Sequence, residues 1–230
     1  MTAFPGFPPQ ALQFYKNIEE NNNREWFGEH KEDFERYVQR PAQDFVIVLG
    51  AKLKEMRPDL AVDPSLRGSG SIMRIYRDIR FSKDKTPYKT YLGMRFWEGP
   101  SRKEMFSGLF IWLDDSGAGL HVGQHMFSKE YLNAFREAVD DVHMGKRFED
   151  ILSSAGDFAE VNGEQYVRVP RGYDRDHPRA GLLKYKSVYA SSGRIAPSVV
   201  ASEKFLPLCV ETFQKLLPLH KWLVDVGKTI

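Results

Sequence analysis

Between Met73 and Phe96 the chain concentrates side chains suited to gripping an anion. Seven cations, Arg74, Arg77, Arg80, Lys83, Lys85, Lys89 and Arg95, fall among apolar residues, and only Asp78 and Asp84 lie between them. Arginine presents a planar fork that matches a carboxylate or phosphate, and lysine adds a point charge. Arg74, Arg77 and Arg80 are therefore expected to line a small anion pocket with Lys83, Lys85 and Lys89. Lys184 and Lys186 are candidates to close it. Tyr88, between Pro87 and Lys89, can donate to a ligand or sit in the core with its hydroxyl satisfied. Asp78 stands among three arginines, which lower a carboxyl pKa; this favours an ionised anchor that orients an arginine over a general acid, with acceptance of a proton from a bound hydroxyl as the alternative. An internal ion-pair network, Asp78 with Arg80 and Asp84 with Lys85, accounts for the same residues. The interleaved aromatics Tyr76, Phe81, Tyr88, Tyr91, Phe96 and Trp97 suit single-stranded nucleic acid, and equally a core strand pair.

Other reactive residues give weaker patterns. His121 and His125 have metal spacing only on a helix, and here they fall in and beyond a strand, so they need not converge. His30, His143, His177 and His220 have no convincing partners. Cys209 lies in an apolar helical stretch without an adjacent base and reads as an inert core thiol. Ser69-Gly70-Ser71 lacks the Lys-Ser/Thr of a phosphate loop, and no G-x-G-x-x-G opens a helix. Ser107-Gly108 and Ser191-Ser192-Gly193 lack the nucleophile-elbow pattern. No cofactor, metal or catalytic residue is assigned, and whether a reaction occurs is left open.

The elements that must position the cluster follow from periodicity. Met73, Ile75, Ile79 and Phe81 alternate with Arg74, Tyr76, Asp78 and Arg80, which predicts a strand with one apolar and one charged face. Arg77 breaks the parity, so a bend is expected at Arg77-Asp78. Ser82 to Pro87 is a turn and Tyr91 to Trp97 the return strand. Glu98 to Lys103 is a second turn, and Met105 to Leu113 is a strand buried on both faces. A loop at Asp114 to Gly119 leads to a strand at Leu120 to Gln124. These strands predict an antiparallel meander.

Before it, Ala11, Phe14, Tyr15 and Ile18 mark one helix. Asn23 caps a second carrying Trp26, Phe27, His30, Phe34 and Tyr37. Phe45, Val46, Leu49, Leu53 and Met56 mark a third, ended by Arg57-Pro58. After the meander, Ser128 caps a helix with Tyr131, Phe135 and Val139 on its stripe. Phe148 to Leu152 is a short helix, Tyr166 to Val169 a short strand, and Leu182 to Ala190 opens helical and closes extended. Pro197, Pro207 and Pro218 divide the C-terminal region into short helices. The class is α+β, an antiparallel meander flanked by N-terminal and C-terminal helices, in a single domain over 1–230.

The chain has 230 residues, 28% charged and 42% hydrophobic, with a formal net charge of +2. That charge is too small for a general polyanion binder, so cationic function must come from local clustering. A single cysteine excludes an internal disulfide and fits a reducing compartment. The first ten residues show no signal-peptide pattern, and no run approaches the roughly 20 apolar residues of a membrane span. The partner expected is a small anionic ligand, with nucleic acid less favoured and no membrane; the location expected is cytoplasmic. Oligomeric state is not legible.

Three motifs in order, NNNREWF at 21–27, RDIRFSKDKTPYKT at 77–90, and PRG with LLKYKS at 170–187, give the chain a resemblance to domain-of-unknown-function family 2461, a family of conserved hypothetical proteins. The similarity runs from Phe7 to near the C-terminus. It implies a soluble α+β domain of this length. It implies no activity and brings no catalytic residues.

Overall fold

The computed structural model describes residues 4–99 and 106–230. Their contacts group into two compact units. The first unit comprises Met1–Phe96, Phe110–Leu120 and Arg194–Glu211; the second comprises Trp97–Leu109, His121–Gly193 and Thr212–Ile230.

The first unit opens with α1 (Pro9–Glu20), which starts on its own proline and buries Ala11, Leu12, Phe14, Tyr15 and Ile18. Proline suits a first turn because its missing N–H has no intrahelical partner there. Asn23 caps α2 (Arg24–Glu29), its side chain accepting from Trp26 N. The chain then continues through α3 (Lys31–Asp33) and a π-helical stretch (Phe34–Gln39) into α4 (Arg40–Met56). The single helix expected from Trp26 to Tyr37 is thus broken at His30. Buried Phe34, Val38, Ala42 and Val46 recur every four residues. That spacing overruns the ~3.6-residue α turn, and the wider π turn absorbs the excess. Phe4, Phe7, Phe45 and Phe205 form the aromatic centre of this unit, with Phe45 and Phe205 stacked at 5.1 Å.

Among the described residues the sheet has five strands in the order β1-β2-β3-β5-β4. These are β1 (Leu92–Trp97), β2 (Gly108–Asp114), β3 (Gly117–Gln124), β4 (Ala159–Asn162) and β5 (Val188–Ser192). The first three follow chain order, and β5 pairs antiparallel with both β3 and β4. The α+β class holds. In β2, Leu109, Ile111 and Leu113 are buried while Phe110 and Trp112 are half-buried, so only one face is fully enclosed. Met105 and most of the Glu98 to Lys103 turn lie outside the described residues. The β2–β3 turn is held by Asp114, which accepts from Ser116 N at 2.8 Å. Gly117 follows at φ +119, where a Cβ would sit 2.0 Å from Ile195 O. Only glycine fits both that conformation and that approach.

The stretch expected as the strand Met73 to Phe81 is not a regular strand. It makes two isolated pairings, Ile72 with Met94 and Tyr76 with Tyr88. Four residues separate Ile72 from Tyr76, whereas six separate Tyr88 from Met94. The return chain therefore carries two extra residues, and no continuous ladder can join the pairings. Bends fall at Ile75 and Arg80 on the outgoing side and at Thr90 and Tyr91 on the return side; none falls at Arg77-Asp78, where one was expected.

In the second unit Ser128 caps α5 (Lys129–Asp140), whose Tyr131, Phe135 and Val139 are buried. The short helix expected at Phe148 to Leu152 extends over α6 (Val142–Gly156), because Asp141 caps it by accepting from His143 N and Met144 N. The strand expected at Tyr166 to Val169 is absent. Val167 is 91% exposed there, and only Gln165 bridges, to Tyr185. Phe148 stacks on Trp222 at 4.1 Å, with Phe135 edge-on to both. The C-terminal prolines behave differently from one another. Pro197 opens the short α7 (Pro197–Val200) and Pro207 lies in the first turn of α8 (Phe205–Gly227), as expected, but Pro218 lies inside α8. An interior proline costs about 3 kcal/mol. Burial of Phe205, Cys209, Phe213, Leu216, Leu219, Trp222, Leu223 and Val226 offsets it.

Candidate anion-binding cleft and a buried polar chain

The first unit carries a cleft of about 380 Å³ lined by Asn22, Arg77, Asp78, Asp84, Thr86, Tyr88, Lys89, Thr90 and Tyr91. Its back wall is fixed from the α1–α2 connection. The Asn22 side chain donates to Tyr88 O at 2.9 Å and accepts from Tyr88 N at 3.0 Å, imitating a neighbouring strand. The Tyr88 ring is buried and stacks on Phe27 at 4.3 Å, and burial raises its hydroxyl pKa. Backbone bonds from Arg77 N to Pro87 O and from Lys89 N to Ile75 O hold the two sides together.

Arg77 is anchored within its own hairpin. Its Nη1 donates to Asp84 Oδ2 at 2.5 Å, to Thr86 O at 3.2 Å and to the Thr86 hydroxyl. Asp84 also accepts from Thr86 N, and with Arg77 this holds its carboxyl down at about 2. Asp78 accepts a bidentate pair from Arg80, Nε at 2.9 Å and Nη2 at 2.6 Å, which likewise holds it at about 2. The Asp78–Arg80 pair matches the internal network read from the sequence. Asp84 takes Arg77 as its partner, whereas Lys85 donates to Ile79 O at 2.9 Å.

Among the residues anticipated for a site, Arg77, Asp78, Tyr88 and Lys89 thus share one cleft. Arg74, Lys83 and Lys85 are exposed and do not line it. Arg80 turns its fork onto Asp78 and lies 5.8 Å from the ring of Phe81. Lys89 Nζ lies 5.9 Å from the Tyr91 ring. Lys184 and Lys186 belong to the second unit, where Lys186 pairs with Glu164 at 2.6 Å. Asn22, Thr86 and Thr90 were not anticipated. The only signal for Asn22 was its place in an Asn run that also supplies a helix cap.

The second unit contains a polar chain that sequence reading missed. Ser107 Oγ lies 2.9 Å from His220 Nδ1, and Glu98 Oε1 lies 3.1 Å from His220 Nε2. All three are at most 3% exposed. A neutral His220 donating from Nε2 to the carboxylate accepts from the serine hydroxyl at Nδ1, so both contacts are satisfied. The set has the residue types of a nucleophilic triad. A nucleophile must reach its substrate, however, and Ser107 is enclosed, so the chain ties together its unit's core. His220, read as lacking a partner, meets both Ser107 and Glu98, which lie more than a hundred positions away, beyond any local spacing.

His121 and His125 do converge. Their rings are 5.6 Å apart, and Tyr189 lies 4.2 Å from His125. His121 Nδ1 bonds with Ser191 Oγ at 2.8 Å, and burial together with His125 lowers its pKa to about 4. Among the described residues no three His, Cys, Asp or Glu side chains gather as a metal would need. Cys209 is buried, which pushes its thiol pKa up. No helix among the described residues is long and apolar enough to cross a membrane.

Neither a curated protein nor a solved structure matches the chain. The family model described as conserved hypothetical protein (DUF2461) matches residues 10–222. With nearly the whole sequence covered, including Asn22, the cationic hairpin and His220, the chain belongs to this family of conserved hypothetical proteins.

Proposed function

We propose that the protein binds a small phosphate- or carboxylate-bearing ligand in the Arg77–Lys89 cleft. The observation that carries the reading is Arg77 itself. Its side chain is 28% exposed and pre-aligned by Asp84 and Thr86 at the wall of a pocket sized for a small molecule. A guanidinium already fixed in place loses little freedom on meeting an anion. Asp78 serves as an anchor, because a carboxyl held at about 2 is a poor proton acceptor near neutral pH. A reducing, cytoplasmic setting belongs to this reading, supported by the single buried cysteine.

A second reading draws on exposed aromatics. Phe81 is 95% exposed beside Arg80, and Tyr76 is 53% exposed, a pairing that suits stacking of single-stranded nucleic acid. In a third reading the same charges only clamp the hairpin. Thermal melting with inorganic phosphate, acetate and small phosphorylated or carboxylated compounds separates the three. The cleft reading expects a rise in Tm that Arg77→Ala abolishes. Oligothymidine binding that weakens steeply with salt and is lost in Phe81→Ala supports the second. No response to any probe, with Arg77→Ala destabilised by about 3 kcal/mol or more, leaves the clamp.

A further inference from the structure

Resting on that reading, the charge balance of the cleft narrows the ligand class. We infer that the cleft takes a zwitterion, a small molecule carrying a carboxylate or phosphate together with a protonated amine.

The wall presents Arg77 and Lys89 with Asp78 and Asp84, and Arg80, which does not line it, holds Asp78. A bare anion approaching Arg77 meets Asp84, which touches the same nitrogen at 2.5 Å, and Asp78 is next in sequence on the same cleft. Both carboxylates stay ionised at neutral pH; Arg80 already faces Asp78, so an anion that takes Arg77 leaves Asp84 beside it without its guanidinium. A bare amine meets the converse problem at Arg77 and Lys89. A zwitterion avoids both: its acid group takes the guanidinium, its amine takes a carboxylate, and every charge keeps a partner.

Acceptor capacity agrees. An ionised carboxylate offers about four acceptor sites. Asp84 accepts from Thr86 N, the Thr86 hydroxyl and Arg77. Asp78 accepts from Arg80 N, Nε and Nη2. Among the described residues each therefore keeps one site unfilled, and an ammonium brings three donors. The threonine hydroxyls of Thr86 and Thr90 supply neutral polar contacts around the charges.

Titration calorimetry on the full chain at pH 7 and low salt tests this. The probes are free α-amino acids, their N-acetyl forms, their methyl esters, O-phosphoethanolamine and inorganic phosphate. At least one zwitterion should bind about tenfold or more tightly than its capped forms, the difference made by one charged hydrogen bond. An amino acid as the best probe identifies a carboxylate source for the acid group, and O-phosphoethanolamine a phosphate source. Asp84→Asn and Asp78→Asn should shift preference toward the N-acetyl forms. Should the N-acetyl forms or phosphate bind as well as the zwitterions, with Arg77→Ala or Lys89→Gln removing binding, the zwitterion inference fails and the anion reading stands. Absence of binding by every probe to natively melting protein overturns both.

Discussion

The cleft of the first unit and the buried chain of the second hold similar polar groups in opposite ways. In the cleft, Asp78 and Arg80 are two residues apart and Arg77 and Asp84 seven, all paired within one hairpin and all in reach of water. In the buried chain, His220 meets Ser107 and Glu98 across 113 and 122 positions, away from solvent. Exposed local pairs are cheap to exchange because water and ions replace the partner. Buried distant pairs are expensive to break because nothing replaces it. The first arrangement suits a site that trades its own ion pair for a ligand, and the second suits a fixed core.

The largest effect should come from the buried chain. His220→Ala leaves Glu98 enclosed without its imidazole, and urea denaturation should register a loss of about 3–5 kcal/mol. A loss below about 1 kcal/mol would show that the enclosed network is not held more tightly than the exposed one.

His121 tests an intermediate, half-buried case. Its folded pKa, about 4, lies below the usual 6.5, so the unfolded chain takes up the proton first as pH falls. The stability it contributes is present above pH 6.5, declines toward pH 4 and is absent below. Discounted for its partial exposure, the expected loss is about 2 kcal/mol. Urea midpoints at pH 7 and pH 4.5 measure it, and His121→Gln should flatten the difference. A wild-type slope unchanged by that substitution would assign the effect to other groups.

Arg77→Ala removes three hydrogen bonds from a partly exposed site and should cost about 1 kcal/mol. A cost of 3 kcal/mol or more, on the scale of about 3–5 for a broken buried pair, would place Arg77 with the core network and favour the clamp.

Arg80→Ala should leave the urea midpoint unchanged, since both it and Asp78 are open to solvent. Its readout is titration. By carboxyl-carbon NMR, Asp78 should move up from about 2 toward 3.8 while Asp84 stays low. Parallel movement of both would mean that the two acids share one network instead of two local pairs.

The sequence by itself determined much of this protein. Periodic apolar residues marked α1, α4 and α5, Asn23 and Ser128 announced the caps of α2 and α5, and the crowding of charge at 74–89 marked the hairpin that bears the cleft. These are signals within a few residues, and the forces behind them act over the same range. Only the tertiary structure decided the rest. A register offset of two residues, set by where Tyr88 and Met94 find partners, kept the cationic stretch from being a strand. Packing around Pro218 carried a helix through a residue that ordinarily ends one. Asn22 became a strand mimic because folding brought Tyr88 to it from 66 positions away. The Glu98–His220–Ser107 chain exists only through closure of longer loops still. Such contacts form when distant segments share a core, and local spacing holds no record of them.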